Sequence, residues 1–353
     1  MWRALLRGSA LASVLTLGCA RARQLGPIRL QPIVTLGGNG DSTGIATDPR
    51  VSALHPGGFR IVIPGPSGAT VQPLVYGEDG RLLGELGGGT GPGDQFGAPL
   101  FARFGPGDSI WVFDGDARAL VFDANRRFVR AIALPVSPWD AVVLPDDRLV
   151  VTSANADQPL PVEYLDATGR VIHAIGAGDS SAAAIRSPRW IVRGADGTIW
   201  TMPAQFRWRL EHWDTAGAAL GALDRTPAWF PAYAVVAPTT RQQAPQPTVQ
   251  GAWFDTRGHL WVLGRAAGKR WSSGLGTTAG PPIDIVILDP DKAFDTEFEV
   301  LDVGSNRLIA SAEFDRSYVS VVEPGVVVRT EQTGAGWRRA QLVRVTLDSS
   351  ADR

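Results

Sequence analysis

The chain has 353 residues, with 34 basic and 35 acidic side chains and a formal net charge of -1 at neutral pH. This balance lacks the basic excess that a nucleic-acid-binding or acidic-membrane surface needs, so we expect no nucleic-acid partner. Cys19 is the only cysteine, which excludes a disulfide framework within the chain. The length allows two average domains or one large all-β domain, and the pattern of apolar segments decides between them.

The first 18 residues have the anatomy of a secretory signal peptide. Arg3 and Arg7 form a positive start, and residues 8–17 form an apolar stretch too short to span a bilayer. The stretch LTLGC at 15–19 resembles a bacterial lipobox, in which a small residue precedes a cysteine that is lipidated after cleavage. This resemblance implies lipidation of Cys19. The alternative is an ordinary secretory signal with an incidental cysteine.

These features predict an exported protein that is anchored in the periplasm by a lipid on Cys19 and has no other contact with the membrane. Ala20 follows the cysteine, and by resemblance to Gram-negative lipoproteins this favours sorting to the outer membrane. We interpret residues 19–28 as a short linker and residues 349–353 as a disordered tail. We expect the protein to be a monomer.

The rest of the chain repeats a pair of hairpins. The first hairpin has a polar turn with Gly or Asp, followed by a β-branched or leucine residue and often by tryptophan. Its turn and second strand recur at 106–113, 145–152, 195–202, 256–263 and 323–330. The second hairpin has a strand, an aspartate, a short turn and a further strand. It recurs at 119–132, 162–175, 210–223 and 285–298.

Two residue types mark these hairpins. The aspartates of the second hairpin are Asp123, Asp166, Asp214 and Asp289. We interpret them as structural, because an aspartate at such a turn accepts hydrogen bonds from backbone N–H groups further along the turn. The tryptophans of the first hairpin are Trp111, Trp200 and Trp261. We expect them to pack between neighbouring sheets.

Two hairpins make a four-stranded antiparallel sheet, and the sequence contains six such units. They begin near Ser52, Leu100, Asp140, Trp190, Ala252 and Val319. This pattern predicts an all-β fold, a six-bladed β-propeller over residues 29–348. The last unit supplies only three strands, and the segment PIVTLGGNGD at 32–41 matches the missing fourth strand. We therefore expect Pro32–Leu36 to pair with Leu342–Leu347 and close the ring, which protects that sheet edge.

The glycine-rich segment GGGTGPGDQFGAP at 87–99 suggests a phosphate-binding loop at first sight. Related segments recur at 35–41 and 174–179, each time between an outer strand and the next sheet. A phosphate-binding loop would occur once and would lead into a helix that starts with Lys-Ser or Lys-Thr. We therefore interpret these segments as connections between blades.

The same region resembles the NHL-repeat type of six-bladed propeller, in which a Gly-Pro-Gly loop, a phenylalanine and a proline precede the innermost strand. The matching residues are Gly91, Pro92, Gly93, Phe96 and Pro99, with Pro138 and Pro188 in the next two blades. The resemblance implies the fold. It leaves the function open, because such propellers include enzymes, binding modules and scaffolds.

The sequence offers few residues for catalysis. The histidines are His55, His173, His212 and His259, and the last three lie within the repeat signatures. No local nucleophile signature occurs. We therefore assign no catalytic residue, metal ligand or cofactor, and expect a non-catalytic ligand- or protein-binding propeller at the cell envelope.

The alternative is a metal-dependent hydrolase or lactonase. Calcium-dependent lactonase-like propellers place Glu, Asn and Asp residues around the central channel, and Asn155 and Asn306 lie in loops that could face it. A zinc site would need three or four ligands that converge in space, and that convergence is a property of the folded chain.

Aromatic residues and arginines near the inner strands form the candidate binding site. Loops between blades share a face with loops between second and third strands, and that face carries the insertions 224–250 and 264–282.

We expect one concave site around the channel mouth, where arginines orient an anionic or polar group and rings stack on it. Its residues are Trp139, Arg189, Trp190, Arg207, Trp229 and Trp271. The alternative is that these rings only pack neighbouring loops. The expected partner is an unknown envelope protein or a small polar ligand.

Overall fold

A computed structural model of the chain describes residues 28–37, 45, 49–64, 72–87, 94–153, 162–175, 187–194, 196–234, 243–277, 285–332 and 338–348. Their strands form six four-stranded sheets and one separate two-stranded sheet. The first strands of the six sheets contact one another in order and close into a ring. The protein is a six-bladed β-propeller, as the repeat predicts. The signal-like segment with Cys19 and the tail at 349–353 lie outside the described residues.

The first strand of the chain, β1 (Ile28–Leu36), belongs to the last blade. Blade one comprises β2 (Arg50–Val51), β3 (Phe59–Ile63), β4 (Leu74–Gly77) and β5 (Leu82–Glu85). Blade two comprises β6 (Pro99–Phe104), β7 (Ile110–Asp114), β8 (Arg118–Phe122) and β9 (Phe128–Ala133). Blade three comprises β10 (Pro138–Val143), β11 (Leu149–Ser153), β12 (Val162–Leu165) and β13 (Val171–Ile175). Blade four comprises β14 (Arg189–Arg193), β15 (Ile199–Pro203), β16 (Arg209–Trp213) and β17 (Ala219–Asp224).

Blade five carries an insertion between its second and third strands. The insertion contains β20 (Leu275–Thr277), β21 (Ile285–Ile287) and the four-residue helix α1 (Pro290–Ala293). The blade itself comprises β18 (Thr248–Phe254), β19 (Leu260–Ala267), β22 (Phe294–Asp302) and β23 (Arg307–Phe314). Blade six comprises β24 (Ser320–Glu323), β25 (Val326–Gln332), β26 (Arg338–Leu347) and β1. Short 3-10 helices occupy Pro106–Asp108 and Trp271–Gly274. Within the described ranges, no helix has the length and apolar character needed to cross a membrane.

Strand β1 closes the ring by pairing antiparallel with β26. The predicted closure by an N-terminal strand is confirmed, but the predicted register is wrong. The strand begins at Ile28, which lies opposite Leu347, and Pro32–Leu36 therefore lies opposite residues 340–343. The longer pairing has a physical reason, because Ile28 is buried in the apolar core between blades five and six.

One apolar cluster lies at each of the six interfaces between neighbouring blades. Trp111 is buried between blades two and three, and Trp261 between blades five and six. Trp200 packs against the cluster between blades four and five. The predicted packing of these tryptophans between blades is confirmed. Neighbouring blades cover both faces of the inner strands, so strands such as β3 and β7 are buried along their whole length.

The two faces of the propeller differ in their connections. Turns between first and second strands and between third and fourth strands emerge on one side, which we name the short-turn face. Its described turns include 105–109, 123–127, 144–148, 166–170, 214–218, 255–259 and 302–307. The other side, the mouth face, carries the connections between blades and between second and third strands. Its described connections include 134–138, 203–208, 225–234, 268–277, 285–293 and 315–319.

Aspartates stabilise the turns of the short-turn face. The Oδ1 atoms of Asp123, Asp166 and Asp214 each accept two backbone N–H hydrogen bonds, at 2.8 to 3.1 Å. The predicted structural role of these three aspartates is confirmed. Each bond satisfies a backbone donor that the tight turn would otherwise leave to solvent.

Blade five departs from the predicted repeat. The segment at 285–298 does not form its second hairpin, because the first part of that segment pairs as β21 with β20 in the insertion. Asp289 precedes α1 and forms an ion pair with Lys292 at 2.8 Å. The second hairpin is β22–β23, and its turn aspartate is Asp302, whose Oδ1 accepts the N–H of Gly304 at 3.1 Å.

Candidate functional site

A cavity of about 350 Å³ lies among the first strands of the blades, in the central channel. We name it the channel cavity. Its charged and amide-bearing lining residues are Arg103, Asp140, Arg193, Gln250 and Glu323. Trp190, Trp253 and Phe254 add aromatic surface to its wall. The two carboxylates are the groups in this cavity with the capacity to act as bases, so their partners decide what the channel can do.

Asp140 joins three blades. Its Oδ1 accepts an N–H from the guanidinium of Arg103 in blade two, at 2.5 Å, and the backbone N–H of Ala141, at 2.9 Å. Its Oδ2 accepts the backbone N–H of Ile191 in blade four, at 2.9 Å. The side chain is only 4% exposed. Asp140 is therefore a brace between blades, with both oxygens engaged.

Glu323 has the same role where the ring closes. Its Oε1 accepts an N–H from the buried guanidinium of Arg60 in blade one, at 2.9 Å. Its Oε2 accepts the backbone N–H of Leu54, at 3.0 Å. Blade six is thus tied to blade one by two charge-assisted hydrogen bonds, which are stronger than neutral ones.

A second cavity of about 190 Å³ adjoins the channel cavity on the mouth face. We name it the mouth cavity; it shares Trp190 and Gln250 with the channel cavity. Its other lining residues with polar side chains or aromatic rings are Arg50, Trp139, Gln205, Thr248 and Arg265. The described lining includes two guanidinium groups, two primary amides and no carboxylate. The guanidinium and amide groups donate hydrogen bonds, so they favour a ligand whose atoms accept them.

At this cavity the guanidinium of Arg50 stacks on Trp139 and Trp190, whose rings are tilted by 60° to each other. The indole rings of Trp139 and Trp190 lie 5.6 Å apart, and the guanidinium carbon of Arg50 lies 5.6 and 5.0 Å from their centroids. Trp190 is fixed by its Nε1, which donates to the backbone carbonyl of Val249 at 2.7 Å. The stack arises because all three residues occupy the first or second position of a first strand, where the chain enters a blade from the mouth face.

Arg189 does not line either cavity. It is 1% exposed, and its guanidinium pairs with Glu211 at 3.2 Å inside blade four. Glu211 also accepts an N–H from Arg209 at 3.0 Å. The neighbouring Trp190 points to the cavity, whereas Arg189 points to the opposite side of the strand, as the alternation of side chains along a strand requires.

Arg207, Trp229 and Trp271 also lie away from the two cavities. Arg207 is half-buried in the connection at 203–208. The ring of Trp229 covers Gly264, where a Cβ atom would lie 2.2 Å from the indole, so only glycine leaves room for it. Trp271 packs in the insertion against Leu275, Ala293 and Phe294. Of the six residues that sequence predicts, the structure brings Trp139 and Trp190 together.

Sequence reasoning missed Arg50, Gln205, Gln250 and Arg265. Arg50 stands at the start of a first strand, like Trp139 and Trp190, and this position is the signal that could have found it. The repeat is weak in blade one, which hides the correspondence. The other three come from connections and strand ends that the repeat does not align.

A row of acidic residues lies on the mouth half of β22. Asp295, Glu297 and Glu299 alternate along the strand, and Glu313 lies opposite Glu297. Burial and the carboxylates of Glu313, Glu299 and Asp295 raise the pKa of Glu297 to about 7. Burial also raises the pKa of Glu299, although the guanidinium of Arg225, 3.7 Å away, opposes the shift. This row holds carboxylates whose charged form is disfavoured.

The histidines are dispersed over four blades. His55 accepts the N–H of Gly57 at Nδ1, and its Nε2 lies 2.9 Å from the carbonyl of Asp108. His173 stacks on Tyr164 and His212 on Trp200, while His259 lies 3.3 Å from Asp255. In the part of the chain that the structure describes, no three His, Cys, Asp or Glu side chains are grouped to hold a metal ion.

Comparison with known proteins supports the fold. No protein-family model and no curated protein matches the chain. A gluconolactonase from Xanthomonas campestris has 13% sequence identity and a TM-score of 0.50, over 92% of this chain and 91% of that one. BBS1N, solved in complex with ARL6DN, has 9% identity and a TM-score of 0.47, over 93% and 99% of the two chains. The WD40 propeller domain of Doa1 has 12% identity and a TM-score of 0.43, over 91% and 98%. Of these three structures, the gluconolactonase has a TM-score of 0.50, and at 13% identity this likeness shows the fold alone.

Proposed function

We propose that this protein is a non-catalytic binding module of the bacterial cell envelope that holds a small polar or anionic group at the mouth cavity. The observation that carries the proposal is the stack of Arg50 on Trp139 and Trp190 beside the amides of Gln205 and Gln250. Rings supply apolar contact, and the guanidinium and amides supply directed donors. The cavity volume of about 190 Å³ is smaller than that of a typical drug-sized site, which favours a small ligand.

The channel carboxylates support binding over catalysis. A general base must be free to accept a proton from its substrate. Both oxygens of Asp140 and of Glu323 are engaged by guanidinium or backbone N–H donors. Removing these donors would break the contacts between blades, so the two residues serve the scaffold.

The envelope location rests on the lipobox-like segment and Cys19, and the fold adds a geometric argument. β26 runs from the mouth face to the short-turn face, so its antiparallel partner β1 begins on the short-turn face. A chain from Cys19 to Ile28 would reach about 30 Å at most when extended. A lipid on Cys19 would therefore tether the protein through its short-turn face, opposite the mouth cavity, with the start of β1 within about 30 Å of the bilayer.

Native mass spectrometry of the protein purified from envelope extracts tests the proposed function. We expect a small-molecule adduct on the wild type that falls at least about tenfold with Arg50→Gln, because one charge-assisted contact is lost. Arg307→Gln, which removes the same charge from an exposed arginine on the short-turn face, is the matched control and should keep the adduct. If Arg50→Gln kept as much adduct as the wild type, the assignment of the site to the mouth cavity would be overturned. Stoichiometric calcium or zinc in the purified protein would favour the hydrolase or lactonase alternative.

A further inference from the structure

A third cavity, of about 350 Å³, lies on the mouth face between the blade-five insertion and blade six. It is lined by residues 288–291 of the insertion, by Arg316 between the blades, and by Arg329, Thr330, Glu331 and Arg338 on β25 and β26. We name it the arginine cleft. No residue of the arginine cleft lines the channel cavity or the mouth cavity.

The carboxylates of the arginine cleft are already engaged. Glu331 pairs with Arg329 and with Arg339. Asp289 pairs with Lys292 at 2.8 Å. The Oδ1 of Asp291 accepts the backbone N–H of Ser317 at 2.8 Å, which ties the insertion to the connection between blades five and six.

Two guanidinium groups of the arginine cleft form no ion pair with a described carboxylate. Arg316 is exposed and pairs with no carboxylate among the described residues. Arg338 uses one N–H to hold the carbonyl of Leu288 at 3.3 Å, and no described carboxylate pairs with it. With Lys292 and Arg339, the cleft and its ion-pair partners hold five cationic and three anionic side chains. A guanidinium has five N–H donors, so both arginines retain donors for a ligand.

We propose that the arginine cleft is a second binding site, specific for a small soluble oxyanion such as a carboxylate or a phosphate monoester. Two guanidinium forks match the geometry of such groups and bind them in bidentate fashion. The volume lies within the range of small-molecule sites. The lipid anchor that we propose on Cys19 would attach on the opposite face, where β1 begins, so the expected occupant is a soluble anion and not a headgroup of the anchoring membrane.

Isothermal titration of the full chain with inorganic phosphate and with acetate, at constant ionic strength maintained with chloride, tests the proposal. We expect at least one of the two anions to bind the wild type at one site. Arg316→Gln should weaken this binding at least about tenfold, because a charge-assisted bidentate contact is lost. Arg316 is exposed, so this variant should fold normally. Arg338→Lys, which keeps the charge but not the fork, should also weaken binding.

Arg307→Gln is the matched control. It removes the same charge from an exposed arginine of blade five, on the short-turn face. Binding that survives Arg316→Gln, or that falls equally with Arg307→Gln, would overturn the site, as would a wild type that binds neither anion. Sedimentation of the protein with phosphatidic acid vesicles that depends on Arg316 would overturn the assignment to a soluble anion.

Discussion

Carboxylates in the turns of the short-turn face and carboxylates in the row on β22 have opposite electrostatics. On the short-turn face, hydroxyl and backbone donors lower the pKa of Asp166 and of Asp302; the largest cause is the hydrogen bond from Thr168 and from Ser305, respectively. On the mouth half of β22, burial and neighbouring carboxylates raise the pKa of Glu297. The turn carboxylates are satisfied by local hydrogen-bond donors, whereas burial disfavours the charged form of the carboxylates in the row on β22. Local satisfaction of the turn aspartates stabilises the fold on the short-turn face, whereas binding at the mouth face is our proposal and rests on the mouth cavity and the arginine cleft.

The largest expected effect comes from opening the ring. Deleting residues 28–36 removes β1, exposes the edge of β26 and takes Ile28 and Leu36 out of two apolar clusters. Burying two such side chains contributes about 3–6 kcal/mol, so we expect loss of cooperative unfolding in a thermal melt. Deleting residues 349–353 is the control and should leave the melt unchanged. A truncated protein that melts like the full chain would refute closure by β1.

A smaller effect, at the mouth end of blade four, tests whether Arg189 stabilises the fold or contributes to ligand binding. Arg189→Met leaves Glu211 buried beside Arg209 alone, and we expect a loss of about 3 kcal/mol in the free energy of unfolding by urea. Arg193→Met, an exposed arginine on the same strand, should change it by less than about 0.5 kcal/mol.

The double variant Arg189→Met/Glu211→Leu should recover part of the stability, because it removes the uncompensated charge. A stable Arg189→Met protein that loses its ligand would place Arg189 in the binding site and contradict its role as a buried ion-pair partner of Glu211.

The pH dependence of the free energy of unfolding should have opposite signs for Glu297 on β22 and for Asp166 in a short turn. The pKa of Glu297 is raised from 4.5 to about 7, so the folded state holds a proton that the unfolded state has lost. This contribution is full below pH 4.5 and is lost as the pH rises through 7. We expect the wild type to lose about 1–2 kcal/mol over this window relative to Glu297→Gln, after screening at a half-buried site is considered.

Asp166 should behave in the opposite way. Its pKa is lowered from 3.8, so its contribution is present above that pH and is lost as the pH falls through the lowered value. The stability difference between the wild type and Asp166→Asn should therefore shrink in acid. Urea unfolding from pH 3 to 8 measures both profiles. Parallel profiles for Glu297→Gln and Asp166→Asn would remove the electrostatic distinction between the faces.

Most of the fold can be predicted because it depends on local signals that repeat. Turn aspartates such as Asp123 and Asp166 accept hydrogen bonds from backbone N–H groups of their own turns. The apolar strands between these turns have regular spacing. Blade five shows the limit. The segments at 285–289 and 298–302 both read as a strand followed by aspartate, and local propensity does not choose between them. Burial of Phe298 and Val300 between blades five and six makes the second segment the blade strand.

The site is less predictable because its contacts are distant in sequence. Trp139 and Trp190 could be placed at the mouth, since the repeat fixes both at the start of a first strand. The stack with Arg50 joins blades one, three and four, and the pairing of Arg189 with Glu211 takes a neighbouring residue out of the site. No local pattern encodes such contacts.

Hydrogen–deuterium exchange tests the central claim most directly. This claim is that the mouth face binds a ligand and that the short-turn face stabilises the fold. The protein would be compared with and without the low-molecular-weight fraction of an envelope extract. We predict added protection of the strand starts at 138–140 and 189–191, and none in the short turns at 123–127 and 166–170. Protection confined to those short turns, or no protection at either face, would contradict the account.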